Sequence, residues 1–285
     1  MNLYAIVENN DIQSVYRIPL SGSIQTNLAS VFAQQSINLF SDREEVEFDG
    51  NYNANDEEIF IIRNYPITQE ILDSVANPLN CDILDIENLD GKVKAIFATT
   101  NQANQTQINF QYFDSRKILA NRGISLYLSG DTYRTFDTKG IVISESITAI
   151  FKDSDLYFKS YFNTRKFLNL VDFYEEATEE DIDDFVGQSI FSFEDAIGFR
   201  DDLNSRLRKK IKGIQQRGVL QNNSATEIRD KAHGFGISFD IDNGQLVLPR
   251  NKSLMRDLIR FLDEDYFVTP LTDRRCITNS KREVN

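Results

Sequence analysis

Residues 140–159, GIVISESITAIFKDSDLYFK, read as strands about a turn, and the surrounding fold follows from them. Gly140–Phe151 and Asp155–Lys159 are rich in β-branched and aromatic residues, and Lys152–Asp155 supplies turn chemistry between them. At Ser160 the pattern changes, and Phe162–Tyr174 reads as a helix. The chain therefore passes from sheet to helix near residue 160. We read an α+β fold: residues 1–159 form an acidic, mixed sheet and helix domain, mainly antiparallel, and residues 160–285 form a mainly helical, basic domain with a hairpin at 236–248.

Upstream, Val93–Ala98 is an apolar run, and Thr106–Phe113 alternates Ile108, Phe110 and Tyr112 with Asn109 and Gln111. Ile124–Leu128 and Tyr133–Phe136 flank Ser129-Gly130-Asp131, so these segments predict a meandering sheet. Nearer the N-terminus, Asn2–Glu8 and Ser14–Leu20 read as strands, Ser21–Phe40 as a helix, Val46–Phe48 and Ile59–Arg63 as strands, and Ile67–Ala76 as a short helix. Downstream, Thr178 precedes three acids and predicts a capped helix over Glu179–Val186. A longer helix is expected from Ser192 or Phe193 to Gln216, then short helices at Ala225–Ala232 and Lys252–Leu262 and an extended tail. Asp242-Asn243-Gly244 between Gly236–Ile241 and Gln245–Leu248 is a hairpin signal.

Charge is divided along the chain. Residues 1–199 carry 14 Lys and Arg against 32 Asp and Glu, whereas residues 200–285 carry 17 against 12. The total of −13 hides this asymmetry, which suggests a polyanion-facing surface on an acidic body. The N-terminal MNLYAIVENND lacks the basic region and apolar core of a signal peptide, and no run approaches the ~18 apolar residues of a spanning helix, so a soluble chain is expected. Cys81 and Cys276 have no neighbouring Cys or His at zinc spacing, and reduced thiols in the cytosol are the expectation.

The basic third contains an acid-free stretch from Leu203 to Arg217 with Arg206, Arg208, Lys209, Lys210, Lys212 and Arg217. On a wheel of ~100° per residue, Leu203, Leu207, Ile211 and Ile214 share one stripe, and Arg208, Lys209 and Lys212 lie opposite. One face would dock on protein and a basic face would point outward to DNA phosphates. Arg250, Lys252, Arg256 and Arg260 on the last helix and Arg274, Arg275, Lys281 and Arg282 in the tail could extend it into a groove. With no base-reading motif, contact would be directed to the backbone. The opposing reading pairs the six cations with acids of the same chain, because Asp172–Asp184 holds eight Asp and Glu.

Enzymatic motifs are sparse. His233, the single histidine, precedes Gly234 and reads as a helix end. Neither a GxGxxG fingerprint followed by a helix, a phosphate loop nor a GxSxG elbow is present. A two-metal nuclease would need clustered carboxylates, and Asp82, Asp85 and Glu87 with Lys92 or Lys94, or Asp153 and Asp155 before Lys159, are the candidates. We expect no metal and no cofactor.

The strand pair 140–159, the YEEATEEDIDDF stretch at 174–185, the Arg-rich helix, the hairpin Ile237–Leu248 and the helix Leu254–Leu262 follow in an order that resembles the KwaB-like family of the bacterial Kiwa anti-phage system. The resemblance covers about residues 90–285 and rests on element order and apolar pattern. It implies a cytoplasmic protein that self-associates as a dimer or higher oligomer, is held at the inner membrane by the small membrane subunit KwaA, and binds DNA to hinder phage replication or expression. Three functions then stand: a non-enzymatic DNA-binding effector, a metal-dependent nuclease, and an interaction subunit whose basic helix meets acidic protein surface.

Overall fold

The computed structural model describes residues 1–282 except 11, 86–91, 103–104, 120–123, 125, 136–139 and 249. Its α+β fold divides into two compact units, residues 1–48 with 54–170 and residues 49–53 with 171–285. The sequence places the change near residue 160, and the compact units part after Leu170. The short segment Asp49–Asn53 belongs to the second unit although the chain on both sides of it belongs to the first.

The first unit begins with strands β1 (Leu3–Asn9) and β2 (Ile12–Ile18), helix α1 (Gly22–Phe40), strands β3 (Glu44–Glu47) and β4 (Glu58–Ile62), and helix α2 (Gln69–Ala76). It continues with β5 (Val93–Gln102), β6 (Gln105–Tyr112), β7 (Ile118–Leu119), β8 (Leu126–Ser129), β9 (Thr132–Thr135), β10 (Gly140–Ile141), β11 (Ala149–Lys152), β12 (Asp155–Phe158) and the single turn α3 (Tyr161–Thr164). An eight-stranded sheet runs β2-β1-β5-β6-β11-β12-β4-β3. Within it β5, β6, β11 and β12 form an antiparallel meander and only β3 and β4 pair in parallel, whereas β8 and β9, expected in the same sheet, form a two-stranded sheet of their own. The run 140–151 is not one strand: β10 pairs with β7, and Ser144 between β10 and β11 exchanges hydrogen bonds with the Gln111 side chain at 2.9 and 3.0 Å.

The central strands are buried on both faces, so they carry apolar runs where a half-exposed strand would alternate. Cross-strand register places Tyr4, Phe97 and Phe110 in one row, with ring centroids 4.9 and 5.4 Å apart, and Phe167 continues the row at 5.7 Å. On the opposite face β6 turns Gln107, Asn109 and Gln111 toward α1. Gln107 Nε2 donates to Ser36 at 2.6 Å, Asn109 Nδ2 to Thr100 at 2.9 Å and Gln111 Nε2 to Gln35 at 2.7 Å. These bonds satisfy the buried amides of the alternating pattern.

The expected helix Phe162–Tyr174 is largely absent. Beyond α3 there is only a 3₁₀ turn at Val171–Phe173. Phe167, Leu168 and Leu170 are all buried, and at ~100° per residue they span too wide an arc for one helical stripe, so the segment lies over the sheet as irregular chain.

The second unit comprises α4 (Glu179–Val186), β13 (Phe191–Phe193), α5 (Ala196–Asp201), α6 (Ser205–Gln216), α7 (Val219–Asn222), α8 (Ala225–His233), β14 (Asp240–Asp242), β15 (Gln245–Leu248), α9 (Lys252–Leu262), β16 (Tyr266–Val268) and β17 (Arg275–Ile277). The long helix expected from Ser192 is two helices preceded by a strand. Asp195 accepts the Gly198 N–H at 2.8 Å to start α5, and Asn204 accepts the Leu207 N–H at 3.1 Å to start α6, while Phe191–Phe193 pairs with β15. The hairpin turn forms as expected, with Asn243 and Gly244 at φ 49° and 80°. A single apolar cluster including Ile182, Phe185, Phe199, Ile211, Leu246 and Leu258 holds the unit together.

Candidate functional site

The apolar stripe of α6 is as expected: Leu207, Ile211 and Ile214 are buried in the cluster of the second unit. The basic face is not open in the way the wheel suggests. Arg208 meets Glu179 at 2.8 Å, and Lys212 reaches both Asp181 oxygens at 2.9 Å. Gln215 Nε2 adds a bond to the Asp181 carbonyl at 2.8 Å, so the first turn of α4 lies along α6. The acids of the 172–184 stretch supply this contact, and the capping box between Thr178 and Asp181 sets its geometry.

A second set of acids takes the cations at the border of the stripe. Lys210 meets Asp263 at 2.8 Å and Asp265 at 2.8 Å, and Arg217 meets Asp263 at 2.7 Å. From the tail, Lys281 meets Asp263 at 2.7 Å and Asp265 at 3.0 Å and also donates to the Asp263 carbonyl. The two carboxylates are only 5% and 1% exposed, so unpaired they would be costly to bury. Burial pushes the Asp263 carboxyl up, but the hydrogen bonds from Lys210, Lys281 and Arg217 outweigh it and hold the group below its ordinary range. Asp181 behaves alike: burial raises it, and the Thr178 N–H and the Lys212 ammonium bring it down.

Lys209 has neither arrangement. It is 9% exposed, with its ammonium 5.4 Å from the Tyr174 ring centre, and it has no carboxylate within ion-pair distance among the described residues. Burial pushes its ammonium below the ordinary lysine range, against the pull of Glu175 and Asp49. Gly50 packs on the same two side chains, and at φ 77° a Cβ there would sit 2.7 Å from Tyr174 Cδ2. Of the six expected site residues, Arg206 and Arg217 are exposed, Arg206 on the first turn of α6.

Exposed cations collect on α9, which packs against α6. Lys252 is bonded to Asp202, whereas Arg256 and Arg260 are exposed one turn apart with no carboxylate in ion-pair range among the described residues. Asp257 between them accepts the Tyr266 hydroxyl at 3.3 Å. The i, i+4, i+8 spacing of Lys252, Arg256 and Arg260 was legible in the sequence, but their standing relative to α6 needed the fold.

The remaining candidates do not converge among the described residues. Lys94 pairs with Glu8 at 3.1 Å, the Asp82 carbonyl accepts the Arg17 N–H at 2.7 Å, and Glu87 lies outside the described residues. Asp155 holds Arg63 at 3.3 Å and the Asn64 N–H at 2.9 Å, while Lys159 pairs with Asp56 at 3.2 Å. No group of three or more His, Cys, Asp or Glu side chains able to hold a metal is present among the described residues. His233 closes α8, as its Gly neighbour suggested. Cys81 and Cys276 are free thiols, and burial pushes Cys81 up. No helix among the described residues is long and apolar enough to cross a membrane.

Comparison with known proteins gives no match among the curated proteins and none among the solved structures. The family model described as "Kiwa protein KwaB-like" matches residues 91–272, which is more than half of the chain and takes in the meander from β5, the paired helices α4 and α6, the 236–248 hairpin and α9. On that match the chain belongs to the KwaB-like family and is a component of the Kiwa anti-phage defence system.

Proposed function

We propose that this chain serves Kiwa defence as a non-enzymatic effector that meets the DNA backbone through the outward cations of its second unit. The observation that carries the reading is Arg256 and Arg260, exposed one turn apart on α9 without a carboxylate in range among the described residues. Such guanidinium groups can displace counterions from phosphates without first breaking an internal ion pair. Arg206 stands at the near end of α6, while Arg208, Lys210, Lys212 and Arg217 fix α6 to α4 and to Asp263 and position the surface from beneath. The family resemblance supplies the remaining parts: self-association, and attachment at the inner membrane through KwaA.

The test is a duplex-DNA titration at two salt concentrations. Affinity is expected to fall steeply with salt, and R256E/R260E to lower both the affinity and the salt slope, by on the order of one log–log unit per lost phosphate contact. A folded R256E/R260E protein that binds like the wild type would remove α9 from the account.

A second reading has its own observation. The Arg208–Glu179 and Lys212–Asp181 pairs are what an interaction subunit with an internally neutralised helix would show. It predicts no DNA binding at any salt concentration, with KwaA still captured.

A further inference from the structure

The second unit ends in a two-stranded ribbon whose exposed residues have no role in the core. Tyr266–Val268 pairs with Arg275–Ile277, and residues 269–274 close the tip. The base is fixed: the Tyr266 ring lies 5.7 Å from Phe235 and 6.2 Å from Phe261, and the Thr278 N–H donates to the Asp265 carbonyl at 2.9 Å. The tip is closed as firmly. Thr269 N–H donates to the Arg274 carbonyl at 2.9 Å, the Arg274 N–H to Thr269 Oγ1 at 3.0 Å, and the Asp273 N–H to the Thr269 carbonyl at 3.1 Å. So short a ribbon would be marginal in isolation, and its anchors keep it extended.

What this rigid ribbon displays is specific. Pro270 and Leu271 form its end, and Leu271 is 94% exposed. Arg274 and Arg275 follow at once, both exposed, with no carboxylate in ion-pair range among the described residues. Arg260 stands at the base, where its charge acts on the Tyr266 hydroxyl. Asp273, in the left-handed region at φ 50°, is the single acid of the ribbon.

We infer that the ribbon is a DNA wedge: Arg274 and Arg275 hold the phosphates on either side of the minor groove, and Leu271 with Pro270 enters between two base pairs and kinks the duplex. Apolar wedges flanked by arginine unstack a base step and recover the cost through the wider contact that bent DNA allows. A two-stranded ribbon fits the minor groove only as the kink widens it, and flexible pyrimidine–purine steps would yield most easily. A lipid surface is the competing occupant, since Phe267, Val268 and Ile277 are also exposed on the ribbon, and the vesicle arm of the test separates it from DNA. This inference rests on the DNA reading above and deepens it.

The test uses the full chain and a duplex of ~30 base pairs with a central TA step and a fluorophore on each end, a length over which a kink is measurable. Wild type is expected to bind and to raise energy transfer between the ends. L271A is expected to bind about tenfold more weakly and to leave the ends apart, with an unchanged melting curve because the side chain packs on nothing. Binding by wild type without a change in energy transfer, or an L271A protein that bends DNA like wild type, overturns the wedge and leaves the DNA reading standing. Absence of any binding at low salt overturns both. Retention on phosphatidylglycerol vesicles that depends on Leu271, without DNA bending, assigns the ribbon to a membrane and overturns the wedge.

Discussion

Lys210 and Lys281 share one oxygen, Asp263 Oδ2, at 2.8 and 2.7 Å. Arg217 takes the other oxygen of the same carboxylate at 2.7 Å. One buried acid therefore ties the basic helix α6, the end of α9 and the C-terminal tail together. D263N leaves three cations facing a neutral amide and removes the partner of a buried charge. A loss of about 3–5 kcal/mol is expected in urea denaturation. A loss under 1 kcal/mol would mean that Asp265 alone holds the junction.

The same carboxylates set the response to acid. Asp263 and Asp181 are held below the ordinary carboxylate range in the folded chain. Their stabilising contribution is present above the unfolded-state value of ~3.9 and is lost as pH falls through the lower folded values. Thermal melts from pH 7 downward are expected to stay level until about pH 4 and then drop. D263N should flatten the drop.

Lys212 and Asp181 lie at 2.9 Å and are both partly exposed. A double-mutant cycle with K212A and D181A is expected to give a coupling of about 1 kcal/mol. T178A removes the side-chain cap that accepts the Asp181 N–H, and about 1 kcal/mol more should go with it.

Gly50 occupies a left-handed conformation beneath Tyr174 and Lys209. G50A meets both a backbone penalty and a 2.7 Å contact with a buried ring, so a loss of about 1–3 kcal/mol is expected. The melting temperature checks it, and an unchanged value would mean that Tyr174 gives way freely.

Local pattern carried much of this fold. Turn residues and β-branched runs placed β11, β12 and the Asn243-Gly244 hairpin, and Thr178 announced α4. The differences share a cause: apolar residues buried by tertiary contact mimic helical periodicity. Phe167, Leu168 and Leu170 cover a sheet, and Phe191 and Phe193 join a strand ladder. Asp195 and Asn204, both ordinary cap residues, were the signal that the long helix breaks. At the candidate site the sequence named the cations of α6 and the competing acids of Asp172–Asp184, but not Asp263 and Asp265, which take Lys210 and Arg217. Which of them meet depends on α4 lying against α6 and on Asp263 and Asp265 closing α9, contacts that join residues dozens of positions apart.

The crossing of residues 49–53 into the second unit orders events during synthesis. Asn53 binds the Ser280 hydroxyl at 3.0 Å, the Asn51 carbonyl accepts the Lys281 N–H at 3.0 Å, and Arg282 stacks 5.3 Å from the Tyr52 ring. The ribosome makes these partners more than two hundred residues later. At 5–20 residues per second, residues 49–53 wait roughly 10–50 s for the tail that holds them. The first unit can assemble around its sheet in that interval with a stretch of its own chain uncommitted. Any chain released before Ser280 is added carries that stretch without its clasp, so a truncation at the tail is felt at residues 49–53 as well as where the chain stops.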